Sequence, residues 1–197
     1  MFSLTRPAIA VPSGACDTHM HIFTPGYAMR PGANMPSQDG SLARYREMQQ
    51  RLGLTRTVIV QPTAYGCDNS VTLRAMAELG NARGVAVIDP AAADSEIERL
   101  TKLGMRGLRF HMLPGGALEW DALESMAPRV ALVRWHVPFQ LDAPVFSMHA
   151  TPLVKRPSDR VTKPIGRSVA HLTLGADNSR ARPPQCNAPV GRVRSGT

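Results

Sequence analysis

Cys16-Asp17-Thr18-His19-Met20-His21-Ile22-Phe23 is the stretch from which the rest of the chain can be read. It follows a leader containing Pro and Gly, residues 1–14, and reads as a first β-strand running into two histidines. Residues two apart in a strand point to the same face. His19 and His21 are therefore expected to project together from the strand's C-terminal end, with Met20 turned away. Two converging imidazoles can hold a metal, bind an anionic group or exchange protons. The pair alone does not choose among these, and the segments downstream narrow the choice.

Residues 24–40 form a long Gly/Pro loop directly after the histidines, and loops of this length in compact domains are functional or mobile. Ser41 then caps a helix reaching Leu52, with Leu42, Tyr45 and Met48 on one apolar face and Gly53 as its stop. Thr57-Val58-Ile59-Val60 is a β-branched run suited to a parallel strand buried on both faces. It leads into the polar loop Gln61–Asn69, whose last two residues, Asp68 and Asn69, are candidate caps for a helix ending near Gly80. Residues 84–90 read as a third strand, and a helix opens at Asp94 with acidic residues in its first turn. Residues 105–110 read as a fourth strand whose tip carries Arg109 and His111. A helix over 120–132, interrupted at Pro128, and a fifth strand over 133–137 complete the pattern.

Repeated strand–helix alternation with short connections specifies an α/β domain with a parallel sheet. Right-handed crossovers put every strand C-terminus at the same end. His19, His21, Thr63, Tyr65, Arg109, His111 and His136 are all expected at or near that end, where such sheets bind ligands.

The formal charge of +8 over 197 residues is unevenly spread. Residues 1–149 carry 14 basic and 13 acidic side chains, whereas residues 150–197 carry 9 and 2. A nearly neutral body argues against a nucleic-acid-binding domain, which would show a basic face. Cys16, Cys67 and Cys186 lack the spacing of a metal site or a disulfide framework and read as reduced thiols. No signal-peptide pattern and no run of about 20 apolar residues is present, so a cytoplasmic protein without a membrane span is expected.

From about Pro138 the alternation fails. The expected division is a leader over 1–14, a body over 15–149 and a basic Pro/Arg-rich tail over 150–197. The tail's composition suggests disorder, and a frameshifted reading frame would give the same composition.

The motifs D-T-H-M-H-I-F at 17–23, V-I-V-Q-P-T-A-Y-G-C-D-N at 58–69, M-R-G-L-R-F at 105–110 and W-H-V at 135–137 resemble the amidohydrolase superfamily, in particular its 2-pyrone-4,6-dicarboxylate lactonase-like branch. The resemblance covers roughly residues 15–140. It implies a distorted (β/α)8 barrel, here partial, with about five legible βα units. It also implies hydrolysis of a small carboxylated lactone by water activation, with His19 and His21 catalytic and Thr63 and Arg109 holding the substrate. Tyr65 and His136, at the same strand ends, are taken as further substrate contacts. His19 and His21 would polarise the lactone carbonyl and stabilise the developing oxyanion.

The family's general base is an aspartate after an eighth strand, for which the chain shows no counterpart. Impaired turnover is expected on that ground, as is self-association through open barrel edges. Binuclear relatives take a Lys or Glu at the fourth strand, where this chain has Arg109, a permanent cation that cannot ligate a metal. The expectation is therefore no cofactor, with zinc on His19 and His21 as the alternative. The competing functions are an inactive fragment that binds a small anion or a partner chain, and a metal-dependent decarboxylase or amidohydrolase.

Overall fold

The computed structural model describes residues 7–33 and 35–140, together with the backbone of residues 160–162 and 169–173. Strands β1 (Cys16–Met20), β2 (Arg56–Val60), β3 (Ala82–Ala86) and β4 (Met105–Leu108) pair side by side, all parallel. β5 (Phe110–His111) continues β4 after a break at Arg109 and pairs in parallel with β6 (Val137–Gln140). The break does not separate the two sheets. Leu108 N–H donates to the His136 carbonyl and His136 N–H to that of Arg106, both at 3.0 Å, while Arg109 N–H still donates to Ala86 O at 2.8 Å. The run 105–111 thus serves β3 with its first half and β6 with its second. The outcome is a curved five-stranded parallel wall, part of a (β/α)8 barrel.

The connecting helices follow the sequence pattern. In α1 (Leu42–Leu52) the Ser41 hydroxyl accepts from Arg44 N–H at 3.3 Å, and Gly53 closes the helix at φ 73°, a value glycine adopts without strain. α2 (Ser70–Leu79) buries Val71, Ala75 and Met76, and α3 (Asp94–Lys102) buries Ile97 and Leu100. The acidic first turn of α3 gains a second use, because Asp94 receives Arg129 at 2.6 Å. α4 (Asp121–Leu132) is not interrupted at Pro128, contrary to expectation. Pro128 and Glu124, whose carbonyl loses its partner, are both exposed, so water can replace the lost bond.

Two strand boundaries differ from the expectation in a way that matters for the site. The third strand occupies 82–86 rather than 84–90. The fifth begins at Val137, where 133–137 was expected. Arg134 turns the chain at φ 59°, and Arg134 and Trp135 still bond back to Ala131 and Val130 of α4. The strand's described residues are Val137–Gln140.

Two further strands lie within the region expected to be a tail. β8 (Val169–Thr173) pairs antiparallel with β6, and β7 (Arg160–Thr162) antiparallel with β8. The rest of the tail expectation, and Cys186, lie outside the described residues. No helix among the described residues is long and apolar enough to cross a membrane.

Candidate anion and lactone site

The residue that organises the site is Gln61, immediately after β2. Its side chain is fully buried and all of its hydrogen-bonding groups are used. Nε2 donates to the carbonyls of Gly66 (3.1 Å) and Asp68 (2.7 Å), and Oε1 accepts from the Thr72 hydroxyl at 2.6 Å. The loop between β2 and α2 is thereby tied down, and with it the 3₁₀ turn Thr63–Tyr65. Asn69 repeats the device one strand over, bonding Cys67 O, Val87 O and Val87 N–H. Gln61→Leu would strand two carbonyls and a buried hydroxyl, and should lower stability by about 2–4 kcal/mol. Urea unfolding measures this, and a loss under about 1 kcal/mol would contradict it.

With β2 so fixed, the carbonyl at its end and the next one beyond it aim two side chains. Val60 O lies 2.7 Å from His21 Nδ1, and Gln61 O accepts from Arg109 Nη1 at 2.7 Å. A carbonyl can only accept, so His21 carries its proton on Nδ1 and leaves Nε2 as a bare lone pair. Burial pushes the His21 pKa down to about 4; the Val60 bond opposes this, and Arg109, His19 and His111 add to it. A neutral imidazole whose N–H is already given away has no donor for an oxyanion. The carbonyl-polarising role expected of His21 calls for such a donor, whereas in this tautomer His21 offers an acceptor.

This burial has a consequence for stability. The unfolded histidine protonates near 6.5, the folded one near 4, so between these values the unfolded chain binds more protons. Stability should be full above pH 6.5 and fall through that window by up to about 3 kcal/mol. Urea unfolding at pH 7 and pH 4.5 should show this loss in the native chain and a smaller one in His21→Asn. Parallel losses in both would contradict it.

Arg109 is 6 % exposed, and its pKa is pushed down to about 10 by burial. Its partners are neutral: Gln61 O, and Gln140 Oε1 at 2.9 Å from Nη2. Gln140 Oε1 also lies 2.8 Å from His111 Nδ1. No carboxylate among the described residues acts on Arg109, His21 or His111. A buried cation without a counter-ion is a preformed receptor for an anion.

The sequence-predicted residues divide as follows. His19 and His21 face each other, ring centroids 5.1 Å apart and edge-on. Arg109 and His19 both act electrostatically on His21, so the strand ends bring each of them near it. Thr63 opens the 3₁₀ turn after β2 and is half-buried. Tyr65 does not present itself to a ligand. It is buried, packs against Phe23 (5.9 Å) and Tyr27 (5.3 Å), and its hydroxyl accepts from Thr24 N–H at 2.9 Å. It holds the loop after β1 instead.

His136 is also corrected. It pairs with Gly107 at the N-terminal side of β6, and its ring packs where a Gly107 Cβ would stand. Four residues at a strand's rise separate it from Gln140 by about 13 Å.

The functional residue that sequence reasoning missed is Gln140. Its signal was present: β2 and β6 both run apolar into a glutamine, at Val60-Gln61 and Phe139-Gln140. Arg30, in the loop after β1, was missed as well. It donates to Gly116 O at 3.0 Å, and its own N–H bonds Ala64 O at 2.9 Å, drawing three loops together over the strand ends. Among the described residues no three His, Cys, Asp or Glu side chains are grouped to hold a metal.

The amidohydrolase family profile matches residues 16–177. The chain belongs to the amidohydrolase family. A D-galactarolactone isomerase of Agrobacterium fabrum is 38% identical over 141 residues, 70% of this chain and 48% of that protein. A 2-pyrone-4,6-dicarboxylate hydrolase of Comamonas testosteroni is 33% identical over 71% of this chain and 47% of its own length. The apo crystal structure of an Agrobacterium tumefaciens protein superposes with a TM-score of 0.73 at 36% identity, covering 79% of this chain and 56% of that one. The chain spans about half the length of the curated relatives it matches. All parts of the site described above lie within the matched region.

Proposed function

We propose that the site binds a small carboxylated lactone and that its reaction is lactone hydrolysis. The observation that carries this is Arg109: a buried guanidinium whose hydrogen-bond partners among the described residues are neutral, at the end of the strands. A substrate carboxylate would supply the missing charge through charge-assisted hydrogen bonds. His21 Nε2 would accept from the attacking water and orient it. Water adds to the ring carbonyl, the ring C–O bond breaks, and the departing alkoxide takes up a proton to give a hydroxy acid. With a pKa near 4, His21 is a weak base but already unprotonated across the neutral range, so the rate should be flat there and fall only as the pH drops towards 4. Names of relatives that act on lactones support the same reading.

The reaction is read as ion-independent, and small-molecule binding as the role of this face. Ring opening followed by proton NMR tests it. A carboxylated lactone should open, succinate should inhibit competitively, and dialysis against a chelator should leave the rate unchanged. Opening that succinate does not affect would overturn the anion reading, and loss of rate on chelation would overturn the ion-independent one. Succinate binding without turnover would favour the second reading, an anion-binding chain without catalysis. That reading rests on the lack of a carboxylate base near His21 among the described residues.

A further inference from the structure

Gln140 and His111 stand directly opposite each other in the parallel register of β5 and β6, so both side chains leave the sheet on the same face. Phe110 and Phe139, one residue earlier on each strand, stack at 5.5 Å on the other face, with Trp120 against Phe139. This alternation puts Gln140 and His111 on the side of Arg109, two residues before His111.

The Gln140 amide has only one workable orientation. Arg109 Nη2 cannot accept, so an amide nitrogen facing it would set donor against donor. The oxygen therefore faces Arg109, at 2.9 Å, and the same oxygen lies 2.8 Å from His111 Nδ1. An amide oxygen has two lone pairs and satisfies both donors. His111 Nδ1 must then carry its hydrogen, and the 3.4 Å approach of Arg109 Nη2 to it is a contact of two donors, not a bond. Burial, with Arg109 and Arg30 nearby, keeps His111 below the ordinary histidine value, against the pull of the Gln140 bond. Its Nε2 is then the lone pair, on a ring whose Nδ1 lies 3.4 Å from Arg109 Nη2.

From this geometry we infer that His111, held by Gln140, is an acceptor for a substrate hydroxyl next to the carboxylate gripped by Arg109. The pair Arg109–His111 offers donors and an acceptor side by side, complementary to a carboxylate whose neighbouring carbon bears a hydroxyl. A sugar-acid lactone has that group, and an unsaturated pyrone ring has none. The inference names the substrate class of the proposed site and rests on the anion reading of Arg109. A site built to accept a hydroxyl discriminates against ligands lacking it, because its polar atom is left unpaired. Gln140 is a positioning residue, acting through the tautomer it imposes on His111.

The test titrates the full chain with succinate and with tartrate, two dicarboxylates that differ in their hydroxyls. Tartrate should bind about tenfold more tightly, as one well-made hydrogen bond allows. In His111→Phe the ratio should fall to near one, and in Gln140→Leu it should fall in the same direction. Nitrogen-15 NMR of the His111 ring should show a bare Nε2 whose resonance moves on adding tartrate and not succinate.

Equal affinities in the native chain, or a ratio that survives in His111→Phe, would overturn the hydroxyl subsite while leaving the anion site standing. No binding of either ligand would remove the anion reading and this inference with it. Should the phenylalanine variant not fold, the ring resonances decide. A protonated Nε2, or one indifferent to tartrate, overturns the proposal.

Discussion

Replacing Arg109 by methionine should cost about 100-fold in affinity for a dicarboxylate, while the melting temperature stays level or rises. The two effects separate because the guanidinium serves the ligand rather than the fold. It is 6 % exposed, faces neutral oxygens, and is pushed by burial towards its uncharged form. Apolar side chains of similar volume often replace buried charges at no cost in stability. Against this stands the loss of donors to Gln61 O and Gln140 Oε1, which sets the gain near zero. Calorimetric titration with succinate and a thermal melt check both halves. A variant that melts far below the native chain would mean that Arg109 is a structural strut.

Gly116→Ala should be the most damaging change outside the core, with a loss of about 3 kcal/mol and of ligand binding. A methyl group there would overlap the His111 carbonyl oxygen, which is backbone and cannot swing aside. The Gly116 carbonyl is also the acceptor for Arg30. Moving the loop therefore disturbs His111 on one side and the strap from β1 on the other. Urea unfolding and succinate titration measure the two consequences. A variant indistinguishable from the native chain would show that the loop has room that its packing does not suggest.

Much of this was legible in the sequence because it depends on local rules. The β-branched run at 57–60, the Ser41 cap and the Gly53 stop each act within a few residues, and each forms as expected. His19 and His21 face each other as strand parity suggested, although β1 ends at Met20 and its register shifts between Asp17 and Met20. Arg109 was placed at its strand's tip by the strand–helix alternation, and its substrate role came from the family resemblance. What failed depended on where a strand begins. His136 was placed at the site because Val133-Arg134-Trp135 looked like strand, whereas Arg134 turns the chain and delays β6 until Val137. The same slip hid Gln140, the last described residue of that strand. Tyr65 was misassigned for another reason: sequence shows that a tyrosine follows β2, but not that its hydroxyl will be claimed by Thr24. The tautomer of His21 was also out of reach, since it is set by Val60 O, 39 residues away.

Selection of a carboxylate by Arg109 is what the proposed site depends on most. The most direct measurement is kcat/KM for opening a carboxylated lactone and its methyl ester, by the native chain and by Arg109→Met. A preference of about 100-fold for the free acid in the native chain, reduced to near one in the variant, is the result expected of a buried, charge-assisted grip. Equal rates on acid and ester in the native chain, or a preference that survives the loss of Arg109, would contradict it.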